Sequence, residues 1–177
     1  MSNRLTKYIP QFVYGAFDGT VTTFAVVAAA TGAGLSSNIV IILGLANLIA
    51  DGFSMGSSAF LSATTHKYHR VPKHKKVSDM PFRLSFATFI AFVVVGFIPL
   101  VPSVVDLSLG LHADGHQIFI ISSAMTLIAF VWIGVAKARA GSSSVFRSVI
   151  ESLVLGVAAA ALAYIVGNVL ESLFGVK

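Results

Sequence analysis

The sequence predicts an all-α integral membrane protein of five transmembrane helices, with a cytoplasmic N-terminus and a C-terminus outside or in a lumen. Three observations carry this reading. First, charged residues make up only 11% of the 177 while hydrophobic residues make up 56%, and mean hydropathy is +0.88. A soluble domain covers its surface with charge, ordinarily about a quarter of its residues. Second, the charges leave runs of bilayer length: 32 uncharged residues between Asp18 and Asp51, 22 between Arg83 and Asp106, 22 between Asp114 and Lys137, and 19 between Glu151 and Glu171. A helix crosses the hydrocarbon core in about 20 apolar residues. Third, the basic residues are sorted to one side.

The elements follow in order. The first run is too long for one span and is interrupted from Thr31 to Asn38 by turn-forming residues, so it divides into helices at about 11–30 and 39–63. The next three runs give one span each, at about 83–105, 117–136 and 148–170. Pro99 and Pro102 predict a kink or a frayed end in the third. A porin-like barrel is excluded because Phe86 to Leu100 is apolar almost throughout instead of alternating. Arg4 and Lys7 ahead of an apolar stretch imitate a secretory signal, but Asp18 inside that stretch argues against cleavage. The whole chain, 1–177, then reads as a single transmembrane domain, in a bacterial inner membrane or a vacuolar or other organellar membrane. There are no cysteines, hence neither disulfides nor thiolate metal sites.

Orientation comes from Lys and Arg in the short connections. With five spans, the N-terminus, a basic loop at 64–82 and the 137–147 loop share a side. That side holds Arg4, Lys7, Lys67, Arg70, Lys73, Lys75, Lys76, Arg83, Lys137, Arg139 and Arg147, leaving only Lys177 opposite. The net charge of +5 therefore calls for no nucleic acid. The stretch from His66 to Lys76 reads as a topology signal touching anionic headgroups. His66 and His69 would share a helix face and form a weak metal candidate. His112 and His116, flanking Asp114, read as a solvated outer loop.

Charges inside a span are expensive, which makes them functional candidates. Asp18 and Asp51 lie equally far in sequence from the middle of the 31–38 turn, so an antiparallel hairpin sets them at one depth. Asn47, Asp51, Met55, Ser58 and Ser62, with Ser54 beside them, repeat at helical spacing, as do Tyr14, Asp18 and Thr22. Facing stripes make a column of oxygen donors with one thioether. Carboxylates and hydroxyls suit Mg²⁺, Mn²⁺ or Fe²⁺, and sulfur favours a softer transition metal. A carboxylate also exchanges a proton for a metal. The competing reading makes the aspartates protonated packing groups and Met55 a space-filler. Gly15 with Gly19, and Gly52 with Gly56, form G-x-x-x-G pairs that permit close helix approach. Glu151 is a possible third ligand, or simply a partner for Arg147 one turn away.

The stretch from Asp18 through Ala28, then Thr31-Gly-Ala-Gly-Leu-Ser36, then Gly44-Leu-Ala-Asn-Leu-Ile-Ala-Asp-Gly-Phe-Ser-Met-Gly56, resembles the first two helices of vacuolar iron transporters. Ala158 to Gly167 is similar to that family's last helix. The resemblance implies a homodimer with a path between protomers, exporting Fe²⁺ or Mn²⁺ from the cytoplasm in exchange for protons. It implies Asp18 and Met55 as metal-pathway residues, with Asp51 beside the path and no tightly bound cofactor. The chain departs from the pattern in two places. The family's glutamate-rich cytoplasmic insert is replaced by about 20 basic residues without glutamate, and Ser58-Ala59-Phe60 stands where Gly-Glu-aromatic is usual. These losses support an alternative, a transport-inactive subunit with an assembly or regulatory role in a larger membrane complex. No nucleophile arrangement, phosphate loop or cofactor motif suggests an enzyme.

Overall fold

The computed structural model describes residues 8–70, 80–111, 113–141 and 144–174. The described residues form α1 (Ile9–Gly32), α2 (Ser37–Arg70), α3 (Met80–Gly96), a 3₁₀ turn at Ile98–Leu100, α4 (Val101–Leu109), α5 (Gly115–Ala140) and α6 (Val145–Phe174). Among the described residues, five helical segments are long and apolar enough to cross a membrane: Ile9–Gly32, Ser37–Thr65, Pro81–Leu109, Gly115–Arg139 and Val145–Leu173. The chain is a multi-pass membrane protein.

Local chemistry sets the ends of these elements. Pro10 sits in the first turn of α1, where its missing N–H costs nothing. The α1–α2 turn is closed by Gly34, whose φ of +65° lets the Leu35 N–H reach the Ala30 carbonyl (2.9 Å). The third span is broken. α3 stops at Gly96, the turn holding Pro99 intervenes, and α4 starts afresh with Pro102 in its first turn. The second helix runs on to Arg70, past the expected end at 63, so the connection to α3 is shorter than the predicted 64–82 loop. Polar, basic residues resemble a loop in sequence, but Lys and Arg are good helix formers once past the membrane.

α1 lies at the centre and touches every other span, most extensively α3 and α6. One core cluster joins Phe24 and Val27 of α1 to Leu48, Phe92 and Leu100. A second joins Ala16 to Ala91, Phe130 and Ile133. Several hydroxyls inside the bundle donate to the preceding turn, Thr20 to Ala16 O (2.7 Å), Thr126 to Ser122 O (2.6 Å) and Ser152 to Ser148 O (3.0 Å), whereas those of Thr23, Ser122 and Ser148 are buried without a partner. Bonds to the preceding turn allow burial without water.

Close packing depends on glycine. A Cβ on Gly15 would run into the Thr88 carbonyl of α3, and one on Gly19 into the Phe92 carbonyl. Gly52 and Gly56 of α2 also face α3, against Phe92, Val93 and Phe89. On α6 the tightest approaches belong to Gly156, against Phe130, and Gly167, against Ala29. From the alanine run, Ala160 reaches the core. Gly15→Val should therefore destabilise the protein by at least the roughly 1–3 kcal/mol typical of overpacking. Gly115→Ala, with nothing within 4 Å of the added atom, should stay within about 0.5 kcal/mol of wild type. Thermal unfolding in detergent measures both, and equal melting would refute the α1–α3 contact.

Candidate functional site

A cleft of about 720 Å³ opens between the first half of α1, the second half of α2 and the start of α3. α1 contributes Gln11, Tyr14 and Asp18, α2 contributes Asp51, Ser54, Met55, Ser58 and Ser62, and α3 contributes Leu84 and Thr88. Helical periodicity produces the gathering. Residues 11, 14 and 18 fall on one face of α1, and 51, 54, 55, 58 and 62 on one face of α2. Two carboxylates, a thioether and several hydroxyls thus share one recess.

The surroundings of these groups differ. Asp18 and Met55 are half-buried, and Met55 also packs against the central core cluster. Asp51, Ser54, Ser58 and Ser62 are exposed, and Tyr14 is 64% exposed. One flank of the cleft is walled by α3 and the other is open.

Thr22 and Asn47 do not line the cleft. They lie one turn deeper on the same stripes and bond to each other, the Asn47 amide donating to Thr22 Oγ1 (3.4 Å). Thr22 also donates to the Asp18 carbonyl (2.8 Å). This pair ties α1 to α2 where the cleft ends. Glu151 stands elsewhere, accepting from Lys137 (2.7 Å) and Arg147 (2.9 Å) at the α5–α6 corner, where both cations would compete with a metal for its carboxylate. His66 and His69 belong to the last turns of α2, where side chains lie outside the described residues, as does His112. Among the described residues no three His, Cys, Asp or Glu side chains come together. A metal in the cleft would rely on Asp18, Asp51 and Met55 with neutral oxygens.

Gln11 and Thr88 went unread in the sequence. Gln11 lies at i, i+3, i+7 with Tyr14 and Asp18, a spacing that could have exposed it; its side-chain oxygen is buried without a partner. Thr88 sits in a uniformly apolar run that gives no hint of which face meets a cleft.

The chain matches the model of the VIT family over residues 9–77 and 66–168. Over 66 residues it is 44% identical to a vacuolar iron transporter of Toxoplasma gondii, covering 37% of this chain and 22% of that protein. It is 36% identical over 64 residues to one of Plasmodium falciparum, covering 36% of this chain and 23% of that protein. These two matches span under a quarter of the relatives' own length. Vacuolar iron transporter 1 of Arabidopsis thaliana aligns at 24% identity with 93% of this chain and 87% of its own. That alignment runs to 223 positions although the chain has 177 residues, so the plant protein carries stretches this chain lacks. The two family-model stretches meet at residues 66–77, between the second and third spans.

Because the chain has no cysteine, single replacements report access cleanly. Ser62→Cys, toward the basic end of α2, should react rapidly with a membrane-impermeant maleimide from one side of the bilayer. Thr23→Cys and Ser122→Cys, at fully buried positions, should not. Equal reactivity would mean the cleft is not open as described.

Proposed function

The chain belongs to the VIT family, and from that premise we propose that it carries a divalent transition metal, Fe²⁺ or Mn²⁺, out of the cytoplasm in exchange for protons. The observation that carries the reading is the meeting of Asp18, Asp51 and Met55 in one membrane-level cleft. Two carboxylates at mid-span cost several kcal/mol between them on insertion scales. A divalent cation offsets their charge, and so does protonation, which makes the two states alternatives at the same oxygens. Met55 sulfur biases the site toward a transition metal over Mg²⁺. Ser58 and Ser62, successive turns toward the basic end of α2, supply hydroxyls along the approach.

The sorting of basic residues supports placing the cleft mouth on the cytoplasmic side. The open flank supports a homodimer. Tyr14, Asp51, Ser54 and Ser58 would otherwise face acyl chains, and a second copy across a two-fold axis covers them with the same polar set. The relatives' names mention iron, and the metal chemistry of the cleft fits both Fe²⁺ and Mn²⁺.

A second reading has its own support. The stretches present in the Arabidopsis relative and missing here, together with a second-to-third connection free of glutamate, fit a subunit that kept the fold and lost cytoplasmic metal collection. Flux separates the two readings. In proteoliposomes with an imposed pH gradient, wild type should move Fe²⁺ or Mn²⁺ and Asp18→Asn should lose at least about 90% of that flux while remaining folded. Absence of flux from folded wild type would favour the subunit. Normal flux in Asp18→Asn would remove the cleft from the path.

Met55→Leu conserves volume. Its expected effect is a weaker preference for Fe²⁺ over Mg²⁺ in competition uptake, with folding retained. Unchanged selectivity would reduce Met55 to a packing role.

A further inference from the structure

On another face of α1 lies a second recess, a furrow of about 460 Å³ between α1, the end of α5 and the beginning of α6. Its walls are Val13 and Phe17, Ile133, and Leu155, joined by Lys137 and Ser152. Phe17 in turn rests on the buried Phe130, ring centroids 5.7 Å apart. The slot is apolar, and it sits beside the end of the bundle where charge concentrates.

Lys137 and Arg139 occupy the last turn of α5, and Arg147 the first turn of α6. Glu151 bonds Lys137 (2.7 Å) and Arg147 (2.9 Å), so one carboxylate stands against two cations, and Arg139, two residues past Lys137, lies on the other side of α5. The start of α6, where Ser144 Oγ accepts from the Arg147 N–H (3.3 Å), adds the positive end of its dipole. Ser148 is fully buried with its hydroxyl unpartnered, and it shares a face of α6 with Ser152 and Leu155 at i, i+4, i+7. Sorting of positive charge explains why cations gather at this corner, but not why an apolar slot lies beside them. We propose that the furrow seats one acyl chain of an anionic glycerophospholipid whose phosphate is held by Lys137 and Arg147. A net negative headgroup balances the surplus charge, and a zwitterionic one does not. Tyr14 lines this furrow and the metal cleft alike, so the lipid lies against the turn of α1 that walls the cleft.

The test uses the full chain, delipidated in detergent, with no metal present. Native mass spectrometry measures retention of phosphatidylglycerol and of phosphatidylcholine, with and without millimolar inorganic phosphate. Wild type should retain phosphatidylglycerol preferentially, and phosphate should not displace it. Removing charge should weaken phosphatidylglycerol binding by about fivefold in Arg147→Gln, whereas Arg139→Gln, on the other side of α5, should leave it unchanged. Leu155→Trp, which fills the furrow, should weaken retention of both lipids. Arg147 is exposed and its loss leaves Glu151 bonded to Lys137, so this variant keeps the fold. No preference between the lipids, displacement by phosphate, or unchanged binding in Arg147→Gln would overturn the proposal. So would crosslinking of Leu155→Cys between two copies, which would make the furrow a protein interface.

Discussion

How closely α3 lies against its two neighbours decides the shape of the molecule. On one side its backbone at Thr88 and Phe92 meets Gly15 and Gly19 of α1; on the other, Phe89 meets Gly52 and Gly56 of α2. Ser85 adds a hydrogen bond to the Gly56 carbonyl (2.6 Å), donated across the α2–α3 interface to a helix that has no side chain there to obstruct it. α1 and α2 touch each other less than either touches α3. The hairpin is pinned at its turn end by the Gly34 closure and by Asn47 bonding Thr22, and α3 occupies the space between the helices at the other end. A cleft opening toward that end is what remains. Without small residues, α3 would sit a side chain's width further out and its wall of Leu84 and Thr88 would be lost.

The distribution of polar groups obeys the same solvent. A hydroxyl in lipid can return its proton to the carbonyl one turn back, so Thr20, Thr88, Thr126 and Ser152 are buried at little cost. A carboxylate has no such local remedy. Glu151 is met by two cations at the α5–α6 corner, where the helix ends allow them. Among the described residues lining the cleft, Asp18 and Asp51 meet no cation; their polar neighbours are each other, hydroxyls, the Gln11 amide and Met55 sulfur. Two acids brought together without a cation, inside a membrane, form a place where a cation or a pair of protons lowers the energy. That is the physical content of the proposed exchange.

Much of this was legible in the sequence. The five spans follow from gaps between charges, because a bilayer admits few structures. The stripes carrying Asp18 and Asp51 follow from helical spacing, and the cleft gathers Tyr14, Asp18, Asp51, Ser54, Met55 and Ser58 from them. Other features depend on tertiary facts that spacing does not encode. A G-x-x-x-G pair announces a close neighbour without saying which, and here both pairs chose α3. The run from Phe86 to Gly96 is apolar apart from Thr88, so little marks the face that meets α1. Thr22 and Asn47 share the stripes of the cleft residues, yet each found the other, because two helices joined by a short turn are still close at that depth. α2 outran its predicted end because hydropathy marks where the membrane stops, not where the helix does.

The open flank follows from these same contacts. Gly52, Gly56 and Leu48 turn one side of α2 toward the core, so Asp51, Ser54 and Ser58, more than a quarter of a turn away, are carried outward. The geometry that lets α3 wedge the hairpin apart cannot also hide the polar stripe. Burying Asp51 within one chain would mean rotating α2 and losing the glycine contacts that hold α3. The polar face therefore calls for cover from outside the protomer, and the proposed second copy would supply it with no new sequence. One chain offers few donors to a divalent ion, and the proposed pairing of two clefts would double them.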